Sequence, residues 1–290
     1  MIQRWLAFLA ILTMAGAPTA AAQKPTFSIA AEEVRVDVLV TDKGKPMPGL
    51  KKSDFEILDN GVPQEIHYAV LQKEMPISAT LVFDMSRSVA GELLDRLKDA
   101  ARGFLSDLKN DDYAALVTFN NVVALGSAHT HDHSSIRLAL DRVQPFGNSS
   151  LIDGTYAALI LSESKPDPSL VIVFSDGRDT FSWLASGAVL ETAKLNEAVV
   201  YAVSPDRVPK NTFLVDLTSF TGGSLFELES TKHIADVFLS ILDEFRQRYM
   251  VTYTPQGVSE SGWHKLEVRV KHRSAKVRAR PGYMRSSLGE

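Results

Sequence analysis

Between Val34 and Val40, Val34, Val36, Val38 and Val40 alternate with Arg35, Asp37 and Leu39, the period-two pattern of a half-buried strand. Asp42-Lys43-Gly44-Lys45-Pro46 is turn chemistry. Phe55-Glu56-Ile57-Leu58 reads as a second strand closed by Asp59-Asn60-Gly61, a strong hairpin signal, with Ile66–Val70 as its return. The far end of the chain has the same character. Met250–Tyr253 is a strand, Leu266, Val268 and Val270 alternate with charged residues in another, and Val277 and Ala279 alternate with basic ones in a third. So few strands cannot bury both faces alone. The two β segments are expected to pack together as one small β-sandwich, with the middle of the chain inserted between them.

That middle, Ile77 to about Arg248, alternates strands and helices. Ile77–Phe83 is the first strand, and Tyr113–Phe119 the next, with Val122–Leu125 pairing back on it. Ala90, Leu93, Leu94, Leu97, Ala100, Ala101, Phe104, Leu105 and Leu108 keep helical spacing with one buried face. Ser135–Val143, Ile152–Leu161 and Ala185–Leu195 read as helices. Leu170–Phe174 is a continuous apolar run, the mark of a strand covered on both sides. Val199–Val203 is a further strand and Ser224–Phe226 a short edge. Ile234, Val237, Phe238, Ile241, Leu242 and Phe245 form a last amphipathic helix. This order predicts an α/β fold: a doubly wound, mainly parallel, Rossmann-like sheet with helices on both faces.

The first residues stand apart. One basic residue, Arg4, precedes an apolar run from Trp5 to Ala15, and Ala20-Ala21-Ala22 offers small residues before Gln23. This is the pattern of a secretory signal peptide, and the run is too short to span a bilayer. The expected divisions are a signal peptide at 1–22, an N-terminal β segment at 23–74, an α/β domain at 75–248 and a C-terminal β segment at 249–290. The chain is expected to be secreted, periplasmic or in the cell envelope, with no membrane-spanning segment after cleavage. The absence of cysteine means stability rests on the core alone. Lys and Arg total 31 against 35 Asp and Glu, a net charge of −4 over 290 residues, which argues against nucleic-acid binding. The eight Lys or Arg between His264 and Arg285 fit a solvated strand face.

The chemistry sits where parallel strands end, the usual ligand position in such sheets. Leu81-Val82-Phe83 runs into Asp84-Met85-Ser86-Arg87-Ser88, a carboxylate followed by two hydroxyls. Leu170–Phe174 ends in Ser175-Asp176-Gly177, and Gly147-Asn148-Ser149-Ser150 opens a helix with more hydroxyls. Each piece alone reads as a helix cap or a turn. Together, Asp84, Ser86, Ser88, a Ser149 or Ser150 hydroxyl and Asp176 form an all-oxygen set suited to a hard cation such as Mg²⁺, with Mn²⁺ or Ca²⁺ as alternatives. No Gly-x-Ser-x-Gly, phosphate loop, dinucleotide glycine pattern or His-Glu-x-x-His occurs. A haloacid-dehalogenase-like enzyme would need a second Asp where Ser86 stands. His129, His131 and His133 alternate as a zinc candidate, but no fourth ligand is identifiable; the competing reading is an exposed loop leading into a helix capped by Ser134 or Ser135.

Asp84-x-Ser86-x-Ser88, a hydroxyl after Gly147 and Ser175-Asp176-Gly177 resemble the metal-ion-dependent adhesion site of von Willebrand factor type A domains. The flanks resemble the secreted bacterial von Willebrand factor A-related subgroup: Asp54-Phe55 with Asp59-Asn60-Gly61 at entry, Pro281-Gly282-Tyr283 at the end. The resemblance implies that Ser86, Ser88 and Ser149 ligate the metal and that Asp84 and Asp176 do so directly or through water. It implies an exported adhesion or protein-binding module that is not an enzyme, and in the family binding can couple to movement of the last helix. Two positions depart from the family. Ser149 stands where threonine is usual, which loses a rotamer-fixing methyl. Arg87 stands where a small residue is common, and either weakens the metal or points outward to help hold an acidic partner. Mg²⁺ takes six oxygens, and about five are offered here, so a Glu or Asp of a partner protein would complete the set. The alternatives are a metal-independent envelope scaffold and a metal-assisted hydrolase.

Overall fold

The computed structural model describes residues 33–205, 212–272 and 274–285, which belong to one compact unit spanning 32–290; the expected signal peptide lies outside them. In chain order the first segment carries β1 (Val34–Asp42), β2 (Lys45–Pro46), β3 (Phe55–Asp59), β4 (Val62–Gln64) and β5 (Ile66–Leu71). The middle carries β6 (Ser78–Asp84), α1 (Glu92–Asp107), β7 (Tyr113–Phe119), β8 (Val123–Thr130), α2 (His133–Arg142), α3 (Leu151–Ser162) and β9 (Ser169–Phe174). It continues through α4 (Ser186–Leu195), β10 (Val199–Ser204), α5 (Thr212–Thr221), β11 (Leu225–Glu227) and α6 (Ile234–Arg246). Last come β12 (Tyr249–Tyr253), β13 (Gly262–Val270), β14 (Ala275–Arg278) and β15 (Gly282–Arg285).

The central sheet has the order β11-β10-β9-β6-β7-β8 and is parallel except for β8. Alternate residues of its buried strands face opposite ways. Leu81, Phe83, Ile172 and Phe174 share a core with α1, α2 and α6; Val82, Val171, Val173 and Val200 share another with α3, α4 and α5. Burial on both faces explains why these strands read as unbroken apolar runs. The chain leaves β6 toward β7 on one side and later fills the other side with β9. The order therefore reverses between β6 and β9, and a crevice opens beyond their carboxyl ends.

The end segments build two antiparallel sheets. One has the order β14-β1-β12-β5 with β2 on β1, the other β15-β13-β3-β4, so each draws strands from both ends of the chain. Val36, Val38, Ile57, Val251, Leu266 and Tyr283 belong to one buried cluster spanning both sheets. The expected hairpin return was misplaced. Val62–Gln64 pairs with β3, whereas Ile66–Leu71 crosses to the other sheet and pairs with β12. Helix α5 and strand β15 were not anticipated, and helix α2 is capped by Asp132, which accepts the N–H groups of Ser134 and Ser135, not by either serine.

Candidate metal centre

Strand β6 carries Asp84 to the crevice and leaves it fully buried. Its Oδ1 accepts the Ser86 N–H at 2.8 Å, and its Oδ2 accepts two hydroxyls, from Ser149 and Ser175, each at 2.9 Å. One carboxylate thus ties together the loops after β6 and β9 and the start of α3. The Ser86 and Ser88 hydroxyl oxygens lie 2.9 Å apart. Burial pushes the Asp84 carboxyl above its ordinary value, against the lowering effect of the hydrogen bonds from Ser86, Ser149 and Ser175.

The loop geometry is held by backbone. Arg87 N–H donates to Gly147 C=O at 3.2 Å, and Thr180 and Phe181 N–H both donate to Ser149 C=O at 2.9 Å. Gly147 has φ +70°, and a Cβ there would stand 2.0 Å from Asn121 Oδ1, the acceptor of the Asn148 N–H. Only glycine fits that turn. Above Asp84 lies a hollow of about 150 Å³, lined by Ser86, Ser88, Ser149 and Asp176 together with Arg178 and Thr180, and also by Arg87, Gly147 and Asn148. The five residues singled out from the sequence therefore meet at one place. Ser150 is buried and does not line this hollow.

Three contributors were not singled out. Ser175 was legible, since it belongs to the same strand-end tripeptide as Asp176. Thr180 and Arg178 sit on an aperiodic loop, which carries no signal of where it folds. A divalent cation fits the donor chemistry: the side-chain partners of Asp84 are hydroxyls, Ser86, Ser88, Ser149 and Asp176 bring further oxygens to the hollow, and a cation beside them would offset the burial that raises the Asp84 carboxyl.

The histidines lie at the opposite end of the sheet. His131 Nδ1 and His133 Nε2 approach the Asp112 carbonyl oxygen at 3.1 and 3.0 Å, while His129 lies between Thr80 and Ser164 hydroxyls. Among the described residues, no group of three His, Asp, Glu or Cys is placed to hold a metal. A Ser-His-Asp sequence of contacts exists elsewhere: His264 Nδ1 is 2.7 Å from Asp59 Oδ1, and Ser259 Oγ is 3.4 Å from His264 Nε2. That last distance exceeds nucleophile–base contact. Asp59 also accepts the Tyr253 and Tyr283 hydroxyls at 2.8 and 2.9 Å, so the cluster reads as a structural lock.

A mainly parallel sheet wound on both sides, with carboxylates and hydroxyls over its crevice, defines a doubly wound α/β domain. Residues 80–178 match the von Willebrand factor type A domain family, and the chain carries such a domain. Inter-alpha-trypsin inhibitor heavy chain H2 from Sus scrofa is 27% identical over 146 residues, which is 45% of this chain and 16% of that protein. The chain thus spans only a small fraction of the heavy chains it matches. Among solved structures, an aerotolerance-related membrane protein from Bacteroides fragilis superposes with a TM-score of 0.50 at 12% identity, covering 59% of this chain and 99% of that one. Proximal thread matrix protein 1 of the mussel byssus, with a zinc-occupied metal-ion-dependent adhesion motif, gives 0.54 at 15% identity, covering 63% and 48%. No helix among the described residues is long and apolar enough to cross a membrane.

Proposed function

We propose that this chain is an exported protein-binding module whose site holds Mg²⁺ through Asp84, Ser86, Ser88, Ser149 and Asp176. The observation that carries the reading is the convergence of two strand-end loops and the loop opening α3 on one buried carboxylate, with the Ser86 and Ser88 hydroxyls side by side. Asp84 positions the Ser149 hydroxyl and the Ser86 amide from below, while Ser86 and Ser88 offer their oxygens from above. When bound, the cation supplies an electrophilic position that takes a carboxylate oxygen. The partner is a protein that presents a Glu or Asp there; neither nucleic acid nor catalysis is part of the reading. Mn²⁺ and Ca²⁺ suit the same oxygens, and the zinc-occupied byssus relative indicates that such sites can take other ions.

The location is secreted or periplasmic, with a signal peptide at 1–22, the von Willebrand domain at 75–248 and β segments at 23–74 and 249–290. Shared strands and one apolar cluster support reading those segments as a small β-sandwich. The subgroup of secreted bacterial von Willebrand factor A-related domains fits this layout.

Calorimetric titration with MgCl₂ and MnCl₂ tests the site. Wild type is expected to bind a single ion, and Asp84→Asn and Ser149→Ala to lose roughly tenfold or more in affinity, as expected for removal of a ligand or its orienting partner. Equal affinity in wild type and both variants would overturn the assignment. The scaffold reading would be favoured if Asp84→Ala and Asp176→Ala left partner binding intact.

A further inference from the structure

Beyond its oxygen donors, the crevice has a rim built for contact. The loop after Asp176 is fastened to the start of α3 by reciprocal bonds. Asp153 accepts the N–H groups of Trp183 and Leu184, both at 3.0 Å, and its own N–H donates to Ser182 Oγ at 3.2 Å. Asp179 accepts from Ser182 Oγ at 2.6 Å and from the Ile152 N–H at 3.4 Å. This braced loop nonetheless holds Trp183 in solvent, 91% exposed, with Phe181 and Leu184 also exposed. A large apolar group fixed outward marks a contact surface rather than a folding accident. Thr180 lines the hollow, so Trp183 lies at most about 11 Å of chain away from it. Phe146, also exposed, precedes the lining residue Gly147 on the other side.

Charge supplies the second half. Arg87 and Arg178 are exposed and line the hollow, and neither has an ion-pair partner among the described residues. The nearby acids are engaged within the fold. Asp153 and Asp179 brace the loop, and Asp176 Oδ1 accepts the Arg178 N–H at 3.0 Å. The rim thus presents two guanidinium groups not committed to ion pairs among the described residues, and Trp and Arg are the residue types that dominate binding energy at protein interfaces.

We infer that the partner presents a protein segment with more than one acidic residue and an apolar side chain: one carboxylate goes to the cation site, another to Arg87 and Arg178, and the apolar group packs on Trp183. This rests on the metal-site reading above and adds the partner chemistry that the rim selects. Phage selection from a random peptide library on the Mg²⁺-loaded full chain tests it, with Trp183→Ala and Arg87→Ser/Arg178→Ser as comparison proteins. Both change exposed side chains, and their ion affinity is measured in parallel. Expected are enriched peptides that combine acidic with aromatic or aliphatic residues. They should be released by EDTA and bind each variant at least about tenfold more weakly, while Trp183→Ala keeps wild-type Mn²⁺ affinity and the double arginine variant, freed of two like charges, binds Mn²⁺ at least as tightly as wild type. In Trp5→Phe/Trp263→Phe protein, where Trp183 is the remaining tryptophan, the emission should shift blue on binding. Absence of enrichment, peptides without acids, equal binding to the variants, or self-association of the chain through this face would overturn the inference. If wild type binds no ion, it is the metal reading that fails, and the ion titration separates that result from failure of the rim.

Discussion

At the scale of single residues, Asp84 shows how a carboxylate can be buried without an ion pair. Its three hydrogen bonds come from one amide and two hydroxyls, all on loops that the crevice brings together. The same side chain that organises these loops would face a cation when one is bound. His129 is a half-buried ionisable group at the other end of the sheet. Burial, aided by Lys165, lowers it from about 6.5 to about 4. Its folded pKa lies below its unfolded one, so the unfolded chain takes up a proton first as pH falls. Stability tied to His129 is present above about 6.5 and is lost as pH drops toward about 4. Partial exposure screens the effect to about 1 kcal/mol. His129→Gln should therefore shrink the loss of stability between neutral pH and about 4 by that amount, as read from denaturant midpoints. An unchanged pH slope would contradict it.

At the scale of elements, the strands that place the site were legible because burial on both faces writes unbroken apolar runs: Leu81–Phe83 runs straight into Asp84, and Leu170–Phe174 into Ser175-Asp176. The loop carrying Thr180 and Trp183 was not legible, since its course depends on Asp153 and Asp179 capturing backbone N–H groups, which no periodicity records. Helix α5 was missed because Thr212–Thr221 mixes three threonines and a serine with apolar residues and shows little amphipathic contrast. The hairpin return was misread because Val62-Pro63-Gln64 takes the turn-closing role before the chain crosses to the other sheet.

Helix α6 bears on whether the site switches shape. Arg246, in its last turn, pairs with buried Asp112. Two residues on, the fully buried Arg248 donates to Tyr201 OH at 3.1 Å and to the Asp37 carbonyl at 3.2 Å. Strand β12 begins at once, with Tyr249 opposite both Val38 and Leu71. A shift of α6 along its axis would pull β12 out of register on both sides, a change that flips its side chains between faces. Amide exchange in α6 is therefore expected to stay unchanged on adding Mg²⁺ and an acidic peptide. Faster exchange across Ile234–Arg246 would show that the anchor yields.

At the scale of the whole molecule, the two ends of the chain are joined through Asp59. This N-terminal residue accepts from Tyr253, Tyr283 and His264, all C-terminal and all buried. Asp59→Ala would strand three buried polar groups at once, a loss on the order of 3–5 kcal/mol. It should appear as a lower melting temperature of the full chain, with Mn²⁺ affinity retained below the transition. An unaltered melting temperature would show that the end segments are held by their apolar cluster alone. The β segments thus act as the base on which the von Willebrand domain stands, with β12 following α6 directly.

The central claim is that a hard cation sits among Ser86, Ser88 and Ser149 above Asp84. Anomalous diffraction from crystals grown with MnCl₂ tests it most directly. The account predicts one anomalous peak within about 2.5 Å of those hydroxyl oxygens. A hollow without such a peak at saturating Mn²⁺, or a peak only at the histidines of the opposite end, would contradict it.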